Sequence, residues 1–229
     1  MDNIISFFNE YLLLFIKYHR YYLRGLGTTL LVSFFGVLFG VVLGLIIALM
    51  NLSKNKFLKS ISRSYINFVR GTPLLVQVFI VYYGLPLLGL DFLPDLWLVI
   101  MAVSFNSAAY VAEIVRGGIQ SVEKGQMEAA RSLGMPHRMA MRYVIIPQAL
   151  KNILPALGNE FVILIKESAI ISVVGIHDLM YNTDTIRGIS YRPFSPLVFA
   201  AIIYFIITYS LTKLLNVFER RLRAGDQSI

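Results

Sequence analysis

The chain has 229 residues, 57% hydrophobic and 15% charged, with a mean hydropathy of +0.68, which is too apolar for a soluble domain and long enough for about five membrane-spanning helices. Its formal net charge is +8, but the basic residues gather at the ends of apolar runs, as a positive-inside topology bias requires, so no nucleic-acid partner is expected. There is no cysteine, the three histidines (His19, His137, His177) lack metal-ligand spacing, and neither a P-loop nor a Ser-His-Asp pattern is present, so no catalytic residue, metal site or cofactor is expected in this chain.

Residues 1–20 mix Phe7, Phe8, Leu12, Phe15 and Ile16 with Asp2, Glu10, Lys17 and Arg20, which reads as an amphipathic segment at the membrane interface rather than a cleaved signal peptide. Tyr18, Tyr21 and Tyr22 suit the headgroup level. Residues 21–223 read as the membrane domain and 224–229 as a tail. The first span, at about 26–52, carries Gly36, Gly40 and Gly44 on one face, a ridge for close helix packing. Lys54, Lys56, Lys59 and Arg63 then mark the cytoplasmic side.

The second apolar run, about 66–88, is interrupted by Pro73 and places Gln77 inside the bilayer, where the amide needs either another helix or a substrate. The third, about 96–115, carries Asn106, Tyr110 and Glu113 at i, i+4 and i+7, one polar face whose carboxylate can pair with Arg116 or serve a substrate. A basic, small-residue loop follows at 117–141. Within it residues 125–133 are good helix formers, Gly134 is the expected left-handed stop, and Pro136 prevents resumption. Met127, Ala130 and Gly134 leave one side of this short helix slim enough for another chain to approach.

The fourth run, about 141–174, is expected to be broken by Pro147, Pro155 and Gly158 and to border a pathway. Asn152, Asn159 and Lys166, with Glu160 and Glu167 alongside, form a hydrophilic stripe. Charges at that depth are costly and rarely face lipid. Glu160 is set apart from Lys166 by an apolar run, so it either pairs with a cation of another helix or, beside Asn159, binds a guanidinium or ammonium group. Residues 176–195 read as a polar loop, and the last span, about 196–217, ends in the basic Glu219–Arg223 stretch. The basic clusters place the N-terminus outside and the C-terminus in the cytoplasm, against the cost of Lys17, Arg20 and Arg24 on the outer side.

Glu128-Ala129-Ala130, then Gly134, then Val144-Ile145-Ile146-Pro147 resembles the coupling loop of ABC importer permeases, with Val144 and Ile146 as conservative departures. Arg70-Gly71-Thr72-Pro73-Leu74-Leu75-Val76-Gln77, Tyr82-Tyr83-Gly84-Leu85-Pro86 and Ala109-Tyr110-Val111-Ala112-Glu113-Ile114-Val115-Arg116-Gly117-Gly118 resemble the polar amino acid branch of that family, the histidine and glutamine type. Two positions depart from it: Glu167-Ser168-Ala169 after Lys166, and Glu160 where a neutral residue is common.

The resemblance implies an all-α, type I importer permease with Glu128, Ala129, Ala130 and Gly134 coupling to two cytoplasmic ATPase subunits, which bind the ATP and Mg. It also implies a second permease copy or close paralogue, an extracytoplasmic amino-acid-binding protein, and a cell-membrane location. The expected substrate is a basic amino acid, with Glu160 and Asn159 as first contacts and Asn106, Tyr110, Glu113 and Gln77 behind them. A secondary transporter using intramembrane carboxylates for proton coupling is the alternative, and it leaves the coupling loop unexplained.

Overall fold

The computed structural model describes the backbone of residues 2–224 and the side chains of residues 13–222, and within these limits the chain is almost wholly helical. The tail expected at 224–229 lies, beyond Ala224, outside the described residues.

No proline interrupts residues 2–52, and they form one 51-residue helix, α1 (Asp2–Leu52). At 1.5 Å per residue it is about 77 Å long, well over twice the hydrocarbon thickness of a bilayer. The first twenty residues are therefore not a separate element but the start of the helix that becomes the first span. Gly25 of this helix sits where a neighbouring backbone comes close: a Cβ there would lie 2.5 Å from Asp178 O. Tyr22, expected among headgroups, is 1% exposed; it packs beside Phe15 and Phe199 and its hydroxyl donates to Pro196 O at 3.2 Å.

The glycine ridge of α1 receives α4 (Asp95–Gln120), which starts after Pro94. Side chains added at Gly36, Gly40 and Gly44 would come within 2.6 Å of Val103, 2.8 Å of Ser107 and 2.6 Å of Val111, respectively. The matching four-residue spacing on both helices lets the two backbones approach along three turns. Val99, Val103, Leu164 and Ile171 fill the core beside this seam.

Between them, α2 (Lys56–Arg70) is capped by the Asn55 side chain, which accepts from Phe57 N at 2.9 Å. A bend of 109° leads into α3 (Leu74–Leu85), with Pro73 at the corner, as the sequence predicts. The short helix α5 (Lys124–Ser132) and the single turn α6 (His137–Ala140) precede a π turn at Met141–Ile145. That turn runs directly into α7 (Ile146–Glu167). Pro147 sits in the first turn of α7, where its missing N–H has no intrahelical use, and Pro155 is carried inside the helix without ending it. The expected breaks are thus one π turn and one tolerated proline. Gly158 is a docking notch, since a Cβ there would lie 2.3 Å from Leu215 of α9 (Ser195–Ala224).

Residues 176–195, expected as a polar loop, contain instead α8 (Leu179–Ser190). Asp178 Oδ1 caps it by accepting from Tyr181 N at 2.8 Å, and Leu179, Thr183 and Ile186 at i, i+4 and i+7 are buried against α1 and α9. By length and apolarity α1, α4 and α9 can each cross a membrane, and the bent α2–α3 pair can act as a fourth span. The fourth predicted run, α7, is 22 residues long and, with Lys151, Glu160, Lys166 and Glu167, is less apolar than these spans, as expected of a helix whose polar side is turned to other helices or to a pathway.

Gly44→Leu is expected to overpack the α1–α4 seam by about 1–3 kcal/mol, seen as a lower melting temperature in detergent, whereas Gly27→Ala, with nothing within 4 Å, should be neutral. Asp178 is outside the apolar spans, and burial pushes its carboxyl from 3.8 up to about 6. The folded chain therefore holds this proton over a pH range in which the unfolded chain has released it. Stability at this group is greatest below pH 3.8, falls as pH rises to about 6, and is level above. Asp178→Asn should flatten that dependence in melting curves taken across the same range.

Candidate functional site

The polar groups picked out by the sequence fall into five places. The first is the α2–α3 corner. Gln77 is buried in the second turn of α3, and its Nε2 reaches Val69 O at 2.7 Å, the Thr72 hydroxyl at 2.9 Å and Thr72 O at 3.0 Å. Its Oε1 accepts from Asn106 Nδ2 of α4 at 2.9 Å. The corner's carbonyls, which a membrane interior leaves without water, are thereby satisfied by one side chain. Asn106 Oδ1 is buried and has no hydrogen-bond partner among the described residues.

The second place lies two turns further along α4. Glu113 accepts from Arg116 through two bonds of 2.9 and 2.8 Å and from Arg70 of α2 at 3.3 Å, while the Arg70 guanidinium stands 5.7 Å from the ring centre of Tyr110. Arg116 also donates to Gln120 at 2.6 Å. Glu113 is thus matched by two cations of its own chain. Arg70, which the sequence shows only as part of a motif, is the residue that ties α2 to this carboxylate.

Glu160 is different. It is 5% exposed and faces α4, where the Ser107 hydroxyl donates to Oε1 at 3.3 Å, and no lysine or arginine pairs with it among the described residues. Ser107 was legible only as a small residue; its contact with Glu160 requires the close α1–α4 seam, in which Gly40 leaves room for that hydroxyl.

Asn159, one residue earlier, is turned about 100° around the helix and opens on a cleft of about 360 Å³ between α7 and α9, with Asn152, Thr212, Asn216 and Glu219 on its walls. Asn159 and Glu160 therefore do not converge. The predicted stripe keeps Asn152, Asn159, Lys166 and Glu167 on exposed positions and turns Glu160 inward.

The fifth place is α5 and its stop. Gly134 has φ +83°, its N–H donates to Arg131 O at 3.0 Å and Met135 N–H to Ala130 O at 3.2 Å, the closing pattern of a left-handed helix cap. Ala130 is buried, while Glu128, Ala129 and Gly134 are exposed and Leu133 is 84% exposed. The slim side expected to receive a partner is thus turned inward at Ala130, and the outward surface is made by Glu128, Ala129, Leu133 and Gly134.

The family described as the binding-protein-dependent transport system inner membrane component matches residues 40–224. The chain belongs to this family. The permease is 40% identical over 205 residues to the arginine transport system permease protein ArtQ of Bacillus subtilis, covering 89% of this chain and 93% of that protein. It is also 40% identical over 218 residues to a putative glutamine transport system permease protein GlnP of Rickettsia bellii, at 93% and 98% coverage. A crystal structure of an amino acid ABC transporter with histidines shares 53% identity and a TM-score of 0.86, covering 90% of this chain and 96% of that one. The methionine ABC transporter MetNI, at 21% identity, shares the fold with a TM-score of 0.74 over 87% and 95% of the two chains. The permease is a multi-pass membrane component of a transporter with the type I importer fold.

Gln77→Leu should strand the Asn106 amide and the Val69 and Thr72 carbonyls and destabilise the permease by about 1–3 kcal/mol. Adding Asn106→Leu should recover part of that loss, a coupling that a double-mutant cycle of thermal unfolding measures.

Proposed function

We propose that this permease, paired with a second copy or a close paralogue, lines the pathway of an ATP-driven importer for polar amino acids, with basic ones (arginine, lysine or histidine) as its substrates. The observation that carries the reading is Glu160: a carboxylate buried in the bundle, with a hydroxyl beside it and no cation paired with it among the described residues. A buried charge of that kind calls for a counter-charge, and a substrate guanidinium, ammonium or imidazolium supplies it through charge-assisted hydrogen bonds. Support also comes from relatives named for arginine and from a structural neighbour whose title names histidines, although others are named for glutamine.

Asn159, on the cleft side of α7, is a second contact along the pathway. Gln77, Asn106, Tyr110 and Glu113, already engaged within the chain, hold α3 and α4 around it. The N-terminus is outside and the C-terminus cytoplasmic, an orientation supported by basic residues at 54–63, in the loop around α5, and at Arg220 and Arg221. An extracytoplasmic binding protein delivers the amino acid. Two ATPase subunits, which bind ATP and Mg, receive the outward Glu128, Ala129, Leu133 and Gly134, with Ala130 seating α5 from beneath, and their closure is transmitted through α5 and the adjoining π turn to α7.

Calorimetry on the purified permease with its ATPase, titrated with arginine, lysine, histidine and glutamine, tests the site. Glu160→Gln is expected to weaken the cationic ligands by about 10- to 100-fold and to leave glutamine affinity nearly unchanged. Equal affinities in parent and variant, with the complex still assembled, would remove Glu160 from the substrate site.

A further inference from the structure

At the end of the bundle that carries α5, the C-terminus of α1, the middle of α2 and the last turns of α4 border a half-open cavity of about 420 Å³. Lys59, Arg63 and Arg116 bring three cations to its wall, and Glu113 is the one carboxylate among the lining residues. That carboxylate is already taken by Arg116 and Arg70. Lys59 and Arg63 have no acidic partner among the described residues. Asn51 also lines the cavity; it is 6% exposed, and no described residue takes up its side-chain amide. The wall thus sets an amide that opens on the cavity beside two cations with no acidic partner among the described residues, an excess of donors over acceptors. The group that completes the cavity is an oxyanion able to accept from an amide, an ammonium and a guanidinium together.

The surroundings identify its carrier. Leu52 lines the cavity, and from it an unbroken column of exposed apolar side chains, Leu49, Leu45, Val42 and Leu38, climbs one face of α1 at alternating three- and four-residue spacing. Leu38 to Leu52 spans about 21 Å along the helix axis, the length scale of an acyl chain. On α2 the exposed Phe57, Ile61 and Phe68 form a row on the opposite side of the buried Ser62, Ile66 and Val69 from Lys59 and Arg63, which is how a helix lies in the interface with its charges at headgroup level. We propose that this cavity is a phosphate-binding site for an anionic phospholipid, whose headgroup is held by Lys59, Arg63 and Asn51 and whose acyl chain lies along the Leu38–Leu52 column. The site is independent of Glu160 and of the transported substrate. A lipid held there bridges α1, α2 and α4 near the origin of α5.

The test uses the permease purified with its ATPase and native mass spectrometry, titrating phosphatidylglycerol and phosphatidylcholine of identical chains into delipidated complex. The parent should retain phosphatidylglycerol preferentially. Lys59→Gln with Arg63→Gln should weaken that retention by roughly tenfold or more without changing phosphatidylcholine binding, and Arg63→Lys, which keeps the charge, should largely preserve it. Inorganic phosphate is the second probe. If it displaces phosphatidylglycerol, the cavity belongs to a soluble phosphate and the lipid assignment is overturned. Equal retention of the two lipids, or phosphatidylglycerol binding unaffected by the double substitution, overturns it as well.

Discussion

The close contact between α1 and α4 is the constraint on which the other features depend. Three glycines on α1 meet Val103, Ser107 and Val111 on α4 at separations that no side chain on α1 could share. In a bilayer, where lipid tails are as apolar as the side chains, helices are held by such backbone approach and by polar contacts, not by exclusion of water. With α4 seated on α1, its remaining faces are assigned. Asn106 turns to Gln77, Ser107 to Glu160, and Glu113 to Arg70 and Arg116. One steric seam therefore sets the address of three polar groups on three other helices.

The polar interior divides by whether each group finds its partner within the chain. Gln77 and Glu113 do, through amide and guanidinium donors brought from α2 and α4. Glu160 finds one hydroxyl and, among the described residues, no cation. Lys59 and Arg63 find no carboxylate among the described residues. This separation by sign matters because an opposite charge placed nearby would have quenched each site. Glu160 on α7 and the two cations on α2 belong to different regions of the bundle, so a buried negative site and a basic cavity persist in one small membrane protein without neutralising each other.

Much of this was legible from residues alone. The glycine ridge, the interruption at Pro73, the stop at Gly134 and the polar face of α4 are local features, and spacing is enough to read them. The continuity of α1 was not, because the mixed polar and apolar residues 1–20 and the apolar run from about 26 differ in composition although one helix carries both. The helix α8 was hidden by its charges, although the Asp178 cap and the Leu179, Thr183, Ile186 periodicity were in view. The inward turn of Glu160 away from Asn159 depends on which side of α7 meets α4, a long-range fact. For the same reason Ser107 and Arg70 went unassigned: each matters through a residue more than forty positions away.

The corner between α2 and α3 has a mechanical meaning. A helix break whose carbonyls are left to water can fold and unfold as a joint. Here the carbonyls of Val69 and Thr72 are clasped by Gln77, which is itself moored to α4 through Asn106. Such a corner is a rigid elbow. When α2 tilts, it cannot absorb the motion by flexing, and α3 and α4 must turn with it as one lever arm.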